Sequence, residues 1–232
     1  FARTLIYNGA TFKGQPVQSY VGGRNGRPLD GATPTSYYLR KHIVEATSFV
    51  TGSEMSYQHI FPFFRYAEVL LNYAEALAAA TQNPDFTGMK GEVEYTLSPR
   101  EALNAVRARY NMPGITETDY AAFVKRLRNE RRVELAFEGH RFWDIRRWKI
   151  ASKAVNGPMY APGYSTVQNP GNYISNVRPS FDDDWVVTYD LSDTWDGKTG
   201  NLRVFQTMVF NPEKDYLWPI PYTELVTNPA IG

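Results

Sequence analysis

The sequence predicts a mainly α-helical fold: a tetratricopeptide-like helical hairpin plus additional helices, with long irregular loops and a few short strands. Three observations predict it. From Pro62 onward apolar residues recur at steps of three and four, the period of one helix face. Ser98-Pro99-Arg100-Glu101 has the form of a helix start: a capping Ser, Pro at the first helical position, and Glu three residues after the cap. After Asn156 the periodicity stops, and residues 157–232 are rich in Gly, Pro, Asn, Asp and aromatic rings. The 232 residues suffice for a sizeable core and are read as one domain.

Residues 1 to about 60 read as loops and short strands, with Thr4–Tyr7 and Tyr37–Val44 the strand-like pieces. Gly22, Gly23 and Gly26 lie in a surface turn, because no strand–helix context makes them a dinucleotide fingerprint. The first helix carries Phe63, Tyr66, Ala67, Leu70, Ala74, Leu77 and Ala78 as its apolar stripe, flanked by Arg65, Glu68, Asn72 and Glu75. Asn83-Pro84-Asp85 ends it, and a polar loop is expected as far as Thr96. The second helix has Ala102, Leu103, Val106 and Tyr110 on its apolar side and stops at Met112-Pro113-Gly114. A single hairpin of this kind cannot bury both faces, so the first two helices are expected to present an uncovered apolar strip. The third helix starts near Thr116 or Thr118 and runs through Phe123, Leu127, Val133, Leu135 and Phe137, with Glu138-Gly139 breaking it. Arg141–Ile150 forms a short fourth helix with Phe142, Ile145 and Trp148 on one face. Short strands are expected at Trp185–Tyr189 and Arg203–Phe210.

Composition excludes several functions. Lys and Arg number 25 against 24 Asp and Glu, a net charge of +1, which argues against nucleic-acid binding driven by counterion release. The chain has no cysteine, so disulfides, thiol catalysis and Cys-based zinc sites are ruled out. Its apolar runs are too short to span a bilayer. Phe1 is not an initiator Met, so any signal or lipid-attachment site is expected upstream of it.

The segment from Lys125 to Arg147 is dense in charge, with Glu130, Glu134, Glu138 and Asp144 interleaved among its arginines. Apolar residues alternate so closely with these charges that some must be buried and paired. An internal ion-pair network therefore fits better than an RNA-binding helix, whose phosphates those carboxylates would repel. His140 has no neighbouring Ser or Cys to activate and is read as structural. Glu68 and Glu75 lie two turns apart but lack the Glu-x-x-His partners of a di-metal bundle, so salt bridging is their expected role. Asp182-Asp183-Asp184, and Asp190, Asp193 and Asp196, lack EF-hand spacing and read as a solvated acidic loop. No metal or other cofactor is expected.

Four blocks resemble the SusD/RagB family. They are Tyr37-Tyr38-Leu39-Arg40-Lys41, the helix from Arg65 to Ala76, the long block from Arg128 to Trp148, and Tyr216 to Leu225 followed by Asn228-Pro229. The resemblance implies a tetratricopeptide-like helical protein without catalytic activity: a surface lipoprotein of the Bacteroidetes outer membrane. Such proteins capture nutrients, mostly oligosaccharides, and pass them to a SusC-like TonB-dependent transporter. It also implies that residues 1–232 form the family's C-terminal domain. The N-terminal half, with the lipid anchor that would be the sole membrane attachment, is then expected outside this sequence.

Sugar capture needs flat apolar faces edged by hydrogen-bonding groups, and Tyr and Trp supply both. The candidate ligand-binding residues are Tyr160, Tyr164, Tyr173, Trp185 and Trp195, with Asn169, Asn172, Asp183 and Asp196 beside them. Trp143, Trp148 and Trp218 belong to the resembling blocks and are assigned to packing. Two alternatives stand beside glycan capture. One is capture of a peptide. The other is a glycoside hydrolase using Glu68 with Glu75, or Asp183 with Asp196.

Overall fold

The computed structural model describes residues 1–20, 22–58, 60–162, 179–182, 187–189, 194–195, 198–199 and 202–228. Its helices are α1 (Tyr66–Thr81), α2 (Pro99–Ala108), α3 (Tyr120–Glu134), α4 (His140–Arg147), α5 (Ala151–Val155) and α6 (Tyr222–Thr227). The strands are short and pair two by two, always antiparallel. β1 (Leu5–Ile6) pairs with β4 (Tyr38–Leu39), and β2 (Thr11–Phe12) with β3 (Gln15–Pro16). β5 (Gly88–Lys90) pairs with β6 (Val93–Tyr95), and β8 (Pro179–Phe181) with β9 (Val187–Tyr189). β10 (Thr194–Trp195) pairs with β11 (Lys198–Thr199), and β7 (Gly157–Pro162) with β12 (Leu202–Met208). The fold is mainly α, as expected, and no sheet among the described residues exceeds two strands.

α1 begins three residues later than its apolar spacing implied. Arg65 is extended, at φ −143° and ψ 155°, and caps with no side-chain bond. Phe63 is therefore off the helix and 85% exposed, while Leu71 joins Ala67, Leu70, Ala74, Leu77 and Ala78 on the buried face. Tyr66 and Val69 are exposed on the other side. The expected uncovered apolar strip is thus present on α1 and its lead-in, whereas the large apolar side chains within α2 are buried.

The chain between α1 and α2 is a hairpin, β5–β6, rather than a featureless loop, with Gly91 at φ 62° in the tight turn. α2 has its capping box: Ser98 Oγ accepts from the Glu101 N–H at 3.2 Å, and the Glu101 carboxylate accepts from the Ser98 N–H at 2.8 Å. The Arg100 N–H donates to Pro84 O at 2.9 Å, placing the start of α2 beside the end of α1. At the far end, Arg109 and Tyr110 share one cavity wall with Arg65, so the two helices run antiparallel. α3 is capped by Asp119, whose carboxylate accepts from the Ala122 N–H at 2.8 Å, and not by the threonines before it.

Leu70, Leu71 and Ala74 of α1, Leu103 and Val106 of α2, and Phe123 and Leu127 of α3 make the main core. A second cluster joins Ile145 of α4, Ile150, Ala151 of α5 and Phe210 after β12. It ties the ring-rich half to the helices. α5 is an unforeseen element, five residues long and too short for a periodic signal.

Candidate ligand-binding site

The charged segment is held largely by mutual pairing. Arg131, only 5% exposed, donates from Nε to both oxygens of Asp144, at 2.9 and 2.8 Å, and from a terminal nitrogen to Asn72 at 2.5 Å. Arg147 Nε donates to the same Asp144 at 2.9 Å, and its terminal nitrogens bind both oxygens of Glu75. Arg107 pairs with Glu130. Arg65 reaches from the start of α1 to Glu138 at 2.5 Å and to Glu134 at 2.6 Å. Lys41 donates to the Glu134 and Ala136 carbonyls, at 2.9 and 3.0 Å, and pairs with Glu138. Two cations thus cover the carbonyl end of α3, where backbone acceptors lack helical partners.

Glu68 and Glu75, the first of the two carboxylate pairs considered for hydrolysis, lie beside this network. Burial would raise Glu75, but hydrogen bonds from Arg147 and from the Trp148 indole, at 2.8 Å, hold its carboxyl below the ordinary range. Glu68 is buried 3.5 Å from His140 Nε2. Glu75 acts as an ion-pair partner of Arg147, the role its spacing predicted, while Glu68 has the His140 imidazole as its neighbour.

Two arginines of the segment behave differently. Arg132 at the end of α3 and Arg141 at the start of α4 line a cavity of about 370 Å³ with Lys153, Asn156, Met159 and Tyr160. Tyr160 sits on β7 where the pairing with β12 slips. Tyr160 faces Val204, Met159 faces Gln206, and Phe205 is the extra residue of a bulge. Asn156 fixes the base of β7: its amide donates to Phe210 O at 3.1 Å and its oxygen accepts from the Phe210 N–H. The cavity wall is therefore anchored to the second hydrophobic cluster. Lys153 pairs with Asp182 at 3.0 Å. Burial, followed by the neighbouring Arg132 charge, lowers Arg141 to about 10.

Of the ligand-binding residues named from sequence, Tyr160 lines a cavity. Trp195 falls on β10, in register with Lys198. Tyr164, Asn169, Asn172, Tyr173, Asp183, Trp185 and Asp196 lie outside the described residues. Among the packing tryptophans, Trp148 is half-buried and bonded to Glu75, as assigned. Trp143 and Trp218 overturn that assignment. They are 57% and 69% exposed and form an aromatic trio with Phe142, with ring centroids 5.0 to 6.3 Å apart. Sequence reasoning also passed over Arg132, Arg141 and Lys153. For Arg141 a signal was present: the span from Lys125 to Arg147 holds eight Lys and Arg against four carboxylates of its own.

The chain matches the SusD family over residues 1–232. No curated protein matches it in sequence. Among solved structures it is similar to a SusD-like protein from Bacteroides fragilis NCTC 9343, with a TM-score of 0.66 and 24% identity. That alignment covers 97% of this chain and 36% of the other. The chain thus spans about a third of the length of that structure, which it resembles in fold. A match to the family along its whole length, on a helical hairpin locked by arginine–carboxylate pairs, makes this chain a member of the SusD family.

Proposed function

We propose that the protein captures an oligosaccharide nutrient at the outer-membrane surface, without transforming it, and passes it to a SusC-like TonB-dependent transporter. Membership in a family of nutrient-binding proteins supports the general role. The observation that carries the saccharide reading is Tyr160 in the wall of a cavity that also offers the Asn156 amide and guanidinium donors. An aromatic ring gives the C–H face of a sugar a surface, and the donors serve its hydroxyls. The engagement of Glu75 in an ion pair with Arg147 favours binding over hydrolysis by the Glu68–Glu75 pair. No described helix is long and apolar enough to cross a membrane, and the proposed attachment is a lipid anchor outside this sequence. On this reading the chain is the C-terminal part of a longer capture protein, consistent with its span of 36% of the solved SusD-like structure.

Calorimetric titration of the full-length protein with a panel of oligosaccharides and peptides tests this. A saccharide should bind with a Kd of about 0.1–1 mM, as expected of a partly wet site. Tyr160→Ala should weaken that binding by about tenfold, the value of one ring contact, with the thermal melt unchanged. Release of shortened sugars, or binding of peptides alone, would overturn the proposal.

A further inference from the structure

The charge around Tyr160 narrows the class of sugar. Arg141 is half-buried in the cavity wall and, among the described residues, donates no hydrogen bond and forms no ion pair. The carboxylate that acts on it is Asp144, whose oxygens already accept from Arg131 at 2.8 and 2.9 Å and from Arg147 at 2.9 Å. Its other charged neighbour is Arg132, which lines the same cavity and repels it. The depressed proton affinity of Arg141 records first its burial and then that repulsion, yet the group stays cationic at neutral pH. A half-buried guanidinium beside a second one is electrostatically unfavourable by itself, and an oxyanion relieves it by accepting the parallel N–H pair.

We infer that this cavity is an oxyanion subsite and that the captured saccharide is acidic, its carboxylate or sulfate seated at Arg141 with a sugar ring against Tyr160. The inference rests on the capture reading above and adds the ligand's charge. Arg132 and Arg141 come from α3 and α4, on either side of the Gly139 turn, and the buried Arg131–Asp144 pair ties these two helices together. The subsite is thus preorganised by the scaffold, which reduces the ordering cost of binding.

The test is calorimetric titration of the full-length protein with four probes: oligogalacturonate, its neutral methyl ester, a sulfated chondroitin oligosaccharide, and tetraglutamate. At least one acidic saccharide should bind ten or more times tighter than the ester, by roughly the strength of one charged pair. That preference should shrink as salt rises from about 0.05 to 0.3 M. Comparing oligogalacturonate with the sulfated sugar identifies the oxyanion. Arg141→Gln should remove the preference for acid over ester with the circular dichroism melt unchanged, and Arg141→Lys should restore only part of it. Equal affinity for ester and acid, or an Arg141→Gln protein that melts normally and keeps the preference, refutes the subsite while leaving saccharide capture standing. Binding of tetraglutamate alone, or of none of the four, refutes the subsite; the first result also removes the saccharide reading.

Discussion

Glu138 shows how single residues set the behaviour of the scaffold. Burial pushes its carboxyl up, but Arg65 and Lys41 outweigh burial and hold it below its ordinary value of 4.5. A carboxyl depressed in the folded state contributes stability that is complete above its unfolded value and disappears as pH falls through its folded value. Thermal stability should therefore fall on acidification from about pH 5 to pH 3, and Glu138→Gln should flatten part of that slope. A melting temperature whose acid slope is identical in the variant would show that the Lys41–Glu138–Arg65 cluster contributes nothing. The same scale explains why the cluster was only half visible beforehand. The arginines and glutamates announced pairing, but Lys41 lies 97 positions from Glu138, and no local spacing points from one to the other.

At the scale of elements, legibility tracked local chemistry. α2 was readable because its cap is encoded within four consecutive residues, Ser98 to Glu101. The start of α1 was misplaced because Phe63 fits the apolar period while Arg65 has its side chain drawn away to Glu134 and Glu138. Tertiary pairing, not propensity, decides that boundary. The β7–β12 pair was half-legible: Arg203–Phe210 reads as a strand, whereas Gly157-Pro158 hides the other. The turn between α3 and α4 depends on Gly139, at φ 84°. Gly139→Ala should destabilise the protein by about 1–2 kcal/mol in urea unfolding, the cost of a side chain in the left-handed region. An unchanged midpoint would mean that the turn relaxes freely.

For the whole molecule, the charged segment divides into two populations. Arg65, Arg107, Arg131 and Arg147 tie α1, α2, α3 and α4 together, while Arg132 and Arg141 face the cavity beside Tyr160. The sequence disclosed the first population, because buried charge must be paired. It concealed the second, because only the three-dimensional allocation of Asp144 to Arg131 and Arg147 leaves Arg141 without a carboxylate partner among the described residues. The exposed trio of Phe142, Trp143 and Trp218 escaped for a related reason: membership of the resembling blocks assigned the two tryptophans to packing, whereas burial depends on what packs over them.

Whether the Arg131–Asp144 pair holds this framework together is decided by urea unfolding of two variants. Arg131→Met leaves the buried Asp144 carboxylate with Arg147 as its remaining partner and should lose roughly 2–4 kcal/mol, whereas adding Asp144→Leu should recover most of that loss, since an apolar pair of similar volume replaces a buried ion pair at little cost. A single variant as stable as the parent, or a double variant that loses the sum of its parts, would contradict the view of the arginine-rich segment as internal scaffolding.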